Sequence, residues 1–299
     1  MSEELKIWPN FFAVGAAKCG TTSLWVNLRK HPQIFLPKLR EPSYFMSIQP
    51  PPEMRNTSCA GDLDAYQRLY QGALGFKAIG DPSLGYLWDV NAARAIHEVC
   101  PRARIVILLR DPVERAYSHY HFFAVLGREL PIWEAMHRNS SVNTENKWNF
   151  HQYYAEIGLY HEQVLRYIET FGREQVGIYL FEDMQKDAWS VMSAICRHIG
   201  VDPALLDEKE VRRVHNAGRI PRVRWLYDGA RRAFSNRLRR KLLPESVQEW
   251  IRSSRMFYRH AKPPRDERTT KYLKSIYEPD LRRLEDLLGR KLPELRSTW

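Results

Sequence analysis

The chain has 299 residues, 44% of them hydrophobic, and a formal net charge of +11. A chain of this length can bury one large core, so we expect a single domain over residues 1–299. The four cysteines are widely spaced and form no C-x-x-C pair, which excludes a cysteine zinc site and fits a reduced cytoplasm. The first apolar run is too short for a signal core or a membrane span, and we therefore predict a cytoplasmic protein.

The first predicted elements are a strand, a glycine-bearing loop and a helix, in the sequence FFAVGAAKCGTTSLW of residues 11–25. The apolar run from Phe11 to Val14 predicts a strand, and the stretch from Ser23 to Lys30 predicts a helix. Between them lie two glycines, a lysine and two threonines: Gly15, Gly20, Lys18, Thr21 and Thr22. Such a loop directs backbone N–H groups and the positive end of a helix dipole at one point, which predicts a site for a phosphate or another tetrahedral oxyanion.

The position of the lysine distinguishes between kinds of oxyanion site. A loop that binds a nucleoside triphosphate needs a lysine directly after its second glycine. Gly15 and Gly20 have the right spacing for that loop, but Thr21 follows Gly20 and the lysine stands earlier, at Lys18. A nucleotide-triphosphate-binding, kinase-like protein is therefore the alternative from another class, and a glycine turn that only connects strand to helix is the structural alternative.

A second strand and helix are predicted near the middle of the chain. The continuous apolar run Ile105 to Leu109 is typical of a strand that is buried on both faces. Arg110 follows it, then Asp111 as a helix N-cap and Pro112 in the first helical turn. An arginine at this position can hold a phosphate through two parallel hydrogen bonds, and a strand–helix unit with a solvated arginine is the structural alternative.

Strands alternate with helical stretches along the chain, which predicts an α/β protein with a parallel sheet between two layers of helices. We place the core strands near residues 11–15, 77–81, 104–109 and 176–181. Ligands of such sheets bind at the carboxyl ends of the strands. Because the glycine loop, the stretch from Asp81 to Ser83, and Arg110 all lie at such ends, we expect them to meet in one crevice.

These motifs resemble those of the sulfotransferases that use 3′-phosphoadenosine 5′-phosphosulfate (PAPS). The loop with Lys18 is similar to the family's 5′-phosphosulfate loop, and Arg110 with Ser118 resembles the pair that grips the 3′-phosphate. The similarity runs from Phe11 to Gly200 and continues more loosely over the tail. It implies a three-layer, P-loop-like sulfotransferase fold, with PAPS as co-substrate, adenosine 3′,5′-bisphosphate as product and no metal.

The resemblance also assigns residues to the donor site. A late loop in this family closes over the nucleotide, and Asn216, Arg219 and Arg222 resemble it. The complete set of predicted donor-binding residues is Lys18, Cys19, Gly20, Thr21, Thr22, Ser23, Arg110, Ser118, Asn216, Arg219 and Arg222.

Two residues are predicted to carry the chemistry. Lys18 and the loop N–H groups would stabilise the charge that develops on the leaving bridging oxygen. Arg40-Glu41-Pro42 matches the segment whose glutamate is the base in the family's glycan-modifying branch, so Glu41 is the candidate base. An ion pair of Glu41 with Lys38 or Arg40 is the structural alternative.

Asp81 is the second candidate for the base. The branch that acts on small phenols and steroids uses a histidine after a central strand, and Gly80-Asp81-Pro82-Ser83 contains none. Related glycan enzymes often have a lysine where Pro82 stands. The expected acceptor is a hydroxyl or amine of a carbohydrate or glycolipid, and a small natural-product or lipid hydroxyl is the alternative. A binding protein that kept the fold but lost catalytic turnover is a third functional alternative.

The positive charge is concentrated late in the chain. Between His215 and Arg265 there are 14 Lys and Arg residues but three Asp and Glu residues. This basic helical segment, about 215–265, predicts a solvated helix face, contact with an acidic acceptor or polyanion, or peripheral contact with a membrane. No motif that reads a groove or stacks on bases accompanies it, so we do not expect nucleic acid binding.

Overall fold

The computed structural model describes residues 6–48, 59–124, 130–138, 152–212, 220–221, 258–259 and 265–299. The strands of the main sheet are β1 (Phe11–Gly15), β2 (Ile34–Phe35), β3 (Ala78–Asp81), β4 (Arg104–Leu109) and β5 (Val176–Leu180). A second, two-residue antiparallel pair consists of β6 (Ile220–Pro221) and β7 (Tyr258–Arg259). The helices in these ranges are α1 (Thr21–Lys30), α2 (Leu63–Arg68), α3 (Ala92–Val99), α4 (Pro112–Ala124), α5 (Ile132–Met136), α6 (Tyr160–Phe171), α7 (Phe181–Lys186), α8 (Ala188–His198), α9 (Glu208–Val211) and α10 (Glu267–Leu288).

The main sheet is parallel throughout, in the order β2-β3-β1-β4-β5. Phe11 of the central strand pairs with Gly80 of β3 on one side and with Arg104 of β4 on the other. The α/β class, the parallel sheet and the four strands expected from the sequence are confirmed, each strand to within one residue at either end. The sequence does not predict β2, because a two-residue strand is too short to produce a recognisable pattern.

The sheet lies between two groups of helices. Helices α1, α8 and α9 pack together, and α6 packs against α3 and α10, which also contacts α4 and α5. Every residue of β1 and all of β4 after Arg104 are buried, as expected for strands that are covered on both faces. The arrangement is the three-layer α/β/α fold that the alternating elements predict.

Helix α4 begins directly after β4 because the sequence supplies both a cap and a proline. Oδ1 of Asp111 accepts hydrogen bonds from the N–H groups of Val113 (2.9 Å) and Glu114 (3.1 Å). Pro112 occupies the first helical position, where its missing N–H costs nothing. The predicted N-cap is confirmed, and it fixes Arg110 at the junction of strand and helix.

Candidate active site

The loop after β1 enters α1 through two residues with left-handed backbone, Lys18 (φ 72°) and Gly20 (φ 85°). A Cβ atom on Gly20 would lie 2.6 Å from the ring of Phe181, so the position requires glycine. The Gly20 carbonyl accepts from the N–H groups of Ser23 and Leu24, and none of the described side chains caps this helix end. The earlier N–H groups of the first turn and the helix dipole are therefore available to an anion.

Lys18 brings a second source of positive charge to the same loop. Burial and the nearby guanidinium groups of Arg110, Arg115 and Arg40 lower the pKa of Lys18 to about 8. Its ammonium lies 4.2 Å from the centroid of the Phe122 ring. Four cationic side chains around one partly buried loop form an environment that an anion would stabilise.

Arg110 connects the second motif to the first. Its Nη1 donates to the backbone carbonyl of Lys18 at 3.2 Å, and its Nη2 pairs with Oε2 of Glu114 at 3.1 Å. The guanidinium carbon also lies 4.7 Å from the centroid of the Phe181 ring. The two motifs expected to meet at the carboxyl ends of the strands therefore touch, as β1 and β4 are neighbours in the sheet.

Glu114 and Ser118 lie on α4, next to Arg110 in sequence. Glu114 is buried and pairs with Arg265 as well as with Arg110, so one carboxylate orients two arginines. Ser118 is partly buried and follows Glu114 by four residues, which places the two on the same helix face. Arg110 pairs with Glu114, and Ser118 lies one helical turn beyond Glu114 on that face of α4.

A buried tyrosine, Tyr160, contacts both motifs from the core. The hydroxyl of Tyr160 donates to the carbonyl of Arg110 at 2.9 Å and lies 3.9 Å from Sγ of Cys19. Burial raises the pKa of the Cys19 thiol to about 12, so the thiol stays protonated at neutral pH. Cys19 contributes its place in the loop backbone, and the sequence analysis did not identify Tyr160 as part of the site.

Arg115 is a functional candidate that the sequence analysis missed. Its side chain is fully buried, its Nη2 donates to the carbonyl of Tyr154, and its Nη1 lies 3.1 Å from Nδ1 of His119. Within the described ranges no carboxylate pairs with it. Because its charge lowers the pKa of both Lys18 and Cys19, Arg115 adds to the positive potential behind the loop.

Arg40 and Glu41 follow β2, and Arg40 contacts the same loop from this other part of the chain. The guanidinium of Arg40 donates to the hydroxyl of Thr22 in the first turn of α1. Burial raises the pKa of Glu41, while the charge of Arg40 and a hydrogen bond from the N–H of Leu84 act in the opposite direction. Arg40 therefore joins the candidate base segment to the candidate donor loop.

The second candidate base has a different environment. Asp81 is fully buried, and the hydroxyls of Tyr66, Ser83 and Tyr86 all donate to its carboxylate. Desolvation raises the pKa of Asp81 to about 6 despite these donors. Pro82, where related glycan enzymes often have lysine, lines a cavity of about 10 Å³ together with Thr21, Arg40 and Leu84.

Comparison with known proteins relates this chain to sulfotransferases. The sulfotransferase domain matches residues 93–220, the range that contains Arg110 and Ser118. A sulfotransferase from Alicyclobacillus acidocaldarius has a similar structure, with a TM-score of 0.71 and 29% identity over 97% of this chain and 99% of that one. The chain is therefore similar to the sulfotransferase domain family over residues 93–220.

Curated relatives of this chain are more distant. Human carbohydrate sulfotransferase 15 is 26% identical over 69% of this chain and 46% of its own length. A bifunctional heparan sulfate N-deacetylase/N-sulfotransferase from Caenorhabditis briggsae is 24% identical over 66% of this chain and 23% of its own length. The chain therefore spans less than half the length of these relatives.

The remaining predicted donor residues, Asn216, Arg219 and Arg222, lie outside the described residues, as does nearly all of the basic segment 215–265. In the ranges that the structure covers, no three His, Cys, Asp or Glu residues are grouped to hold a metal ion. No helix in those ranges has the length and hydrophobicity needed to cross a membrane.

Proposed function

We propose that this protein is a sulfotransferase that moves the sulfuryl group of PAPS to a hydroxyl or amine of a carbohydrate or glycolipid. The observation that carries the proposal is the contact between Arg110 and the Lys18 carbonyl, which joins two anion-binding motifs in one crevice. PAPS carries a phosphate on the 3′ oxygen and a phosphosulfate on the 5′ oxygen of its ribose, and the two motifs offer one site for each. A nucleoside triphosphate site is not favoured, because Thr21 stands where its lysine would be.

In this proposal the loop from Lys18 to Ser23 holds the 5′-phosphosulfate, and Arg110 with Ser118 holds the 3′-phosphate. The first-turn N–H groups of α1 and the Lys18 ammonium then lie where charge develops on the oxygen that bridges phosphorus and sulfur. Preorganised donors at such a position are often the largest contribution to catalysis. Asn216, Arg219 and Arg222 are proposed to complete the donor site.

The bond changes are those of an in-line transfer. The acceptor oxygen or nitrogen forms a bond to sulfur while the bond from sulfur to the bridging oxygen breaks, and its electron pair stays on the 5′-phosphate of adenosine 3′,5′-bisphosphate. Glu41 takes the proton that the acceptor loses. Its raised pKa supports this role, because a base works best when its pKa approaches the working pH. Asp81 is the weaker candidate, since three hydroxyls already occupy its carboxylate.

The class of acceptor is proposed from two sources. The Arg40-Glu41-Pro42 segment resembles the glycan-modifying branch, and two curated relatives are named for carbohydrate and heparan sulfate. We propose a cytoplasmic location, which the four free and buried cysteines support. The basic segment 215–265 is proposed to contact a membrane, a polyanion or the acceptor, and not nucleic acid.

Calorimetric titration with adenosine 3′,5′-bisphosphate, beside ATP with magnesium, tests the donor site. Tight binding of the bisphosphate alone is expected, whereas preference for ATP with magnesium would overturn the proposal. Transfer of ³⁵S from PAPS to unsulfated chondroitin and N-deacetylated heparosan oligosaccharides then tests the acceptor class. Labelling of small lipid or natural-product alcohols alone would replace the carbohydrate proposal but not the donor assignment.

A further inference from the structure

Asp81 lies at the end of β3 inside a cage of hydroxyl groups. The hydroxyls of Tyr66 and Tyr86 donate to its Oδ2 at 2.8 and 2.9 Å, and the Ser83 hydroxyl donates to its Oδ1 at 2.5 Å. All four side chains are fully buried. A buried carboxylate needs such donors, and in return it holds each hydroxyl in one orientation.

Two of these hydroxyls also accept hydrogen bonds from the segment that follows Glu41. The N–H of Ser43 donates to Oγ of Ser83 at 2.8 Å, and the N–H of Phe45 donates to the hydroxyl of Tyr86 at 3.2 Å. The N–H of Leu84 also lowers the pKa of the Glu41 carboxylate. The stretch 83–86 therefore holds the stretch 41–45 through two hydrogen bonds, and Leu84 between them acts on the Glu41 carboxylate.

We propose that Asp81 is a positioning residue, which fixes Glu41 for proton transfer by orienting the hydroxyls of Ser83 and Tyr86. The inference rests on the proposed function, in which Glu41 is the base. An ionised Asp81 accepts from both hydroxyls, so each hydroxyl directs a lone pair at a backbone N–H of the Glu41 segment. A displacement of about 1 Å at a catalytic group can cost on the order of 10²-fold in rate, so these bonds matter for turnover.

Tyr66 provides a matched control for Tyr86 within the same cage of hydroxyl groups. Tyr66 and Tyr86 are both fully buried and both donate to Oδ2 of Asp81. The Tyr86 hydroxyl also accepts from Phe45, whereas the Tyr66 hydroxyl makes no hydrogen bond to the Glu41 segment within the described residues. Tyr86→Phe and Tyr66→Phe therefore each remove one donor from the same oxygen and keep the ring, but only Tyr86→Phe removes a bond to the Glu41 segment.

Three measurements compare the two variants with the wild type. Amide hydrogen exchange follows the N–H of Phe45, and ¹³C NMR follows the carboxyl carbon of Glu41, assigned by its loss in Glu41→Gln. Turnover is measured as release of adenosine 3′,5′-bisphosphate from PAPS with water as acceptor. We expect Tyr86→Phe to speed exchange at Phe45, to shift the Glu41 resonance and to lower turnover about tenfold, with the affinity for the bisphosphate unchanged. Tyr66→Phe should remain near the wild type in all of these.

Equal effects of the two variants on the Glu41 resonance and on turnover would overturn the proposal, because a purely structural cage would respond to both losses. Asp81→Asn in the Glu41→Gln background adds a second test. If Asp81 acts through Glu41, it causes no further loss of turnover there, and an additional loss would contradict that role. Failure of the wild type to bind adenosine 3′,5′-bisphosphate would instead refute the proposed function, and it is measured separately.

Discussion

The guanidinium of Arg110 donates a hydrogen bond to the backbone carbonyl of Lys18, with 3.2 Å between nitrogen and oxygen. The two residues stand 92 positions apart in the chain. They meet because β1 and β4 are adjacent parallel strands that end at the same edge of the sheet. A ligand that bound one of these residues would therefore lie close to the other.

Replacement of Arg110 tests the 3′-phosphate assignment. Arg110→Ala should weaken binding of adenosine 3′,5′-bisphosphate by about 1.5–3 kcal/mol, the usual range for a hydrogen bond to a charged group. Calorimetric titration measures the change. Arg94→Ala is the matched control, since Arg94 forms an exposed pair with Glu98 on α3 and should leave affinity unchanged. Unaltered affinity in Arg110→Ala would show that another group holds the 3′-phosphate.

Lys18→Ala should remove most transfer activity while the protein stays folded. The ammonium is expected to stabilise charge on the leaving oxygen, and a single donor of this kind is typically worth about 10²–10³-fold in rate. Transfer of ³⁵S from PAPS gives the rate, and circular dichroism checks the fold. Lys30→Ala, which breaks a partly exposed pair with Glu210, serves as control. A variant at Lys18 with wild-type rates would exclude the loop assignment.

The lowered pKa of Lys18 leads to a pH dependence of donor binding. The ammonium is charged below about pH 8 and neutral above it, so affinity for the bisphosphate should fall as the pH rises through that value. Burial and the surrounding arginines lower the pKa, and a bound anion should raise it again. Titrations between pH 6.5 and 9.5 measure the effect. The decline should be absent in Lys18→Ala, and a decline that persists there belongs to another group.

The sheet and both anion motifs were predictable because each is local in sequence. Apolar runs mark β1 and β4, and the residues that carry the chemistry follow within a few positions. Asp111 and Pro112 mark the start of α4 by their capping chemistry alone. Because parallel strands end at the same edge of a sheet, the fold class alone predicts that the residues after β1 and β4 lie close together.

What the sequence did not predict depends on contacts between distant residues. Tyr160 reaches Arg110 across 50 positions and Cys19 across 141, and no local pattern encodes either approach. The sequence also does not predict that Arg115 is buried, since an arginine in a helix is usually exposed. Asp81 was identified as a candidate base from its place after a strand, whereas its three hydroxyl partners are set by tertiary packing.

Asp111→Ala should lower the stability of the fold. The side chain caps α4 and also accepts from the hydroxyl of Thr298 at 2.9 Å, so its loss releases a helix end and the C-terminal tail together. Loss of the cap alone typically costs about 0.5–2 kcal/mol, and we expect a value near the upper end from urea unfolding. Asp207→Ala removes a cap from the short helix α9 and should cost less. Equal losses would mean that the contact with the tail contributes nothing.

Glu41→Gln separates base chemistry from donor binding. The amide keeps the shape of the side chain and can still accept a hydrogen bond, but it cannot take a proton from the acceptor. Turnover should fall by about 10²–10⁴-fold, the usual contribution of a general base, while the affinity for adenosine 3′,5′-bisphosphate changes little. Steady-state transfer assays and calorimetry on the same preparation measure both, with Glu98→Gln as an exposed control. A variant that lost donor affinity alone would place the base elsewhere, and Asp81→Asn would then be the variant to assay.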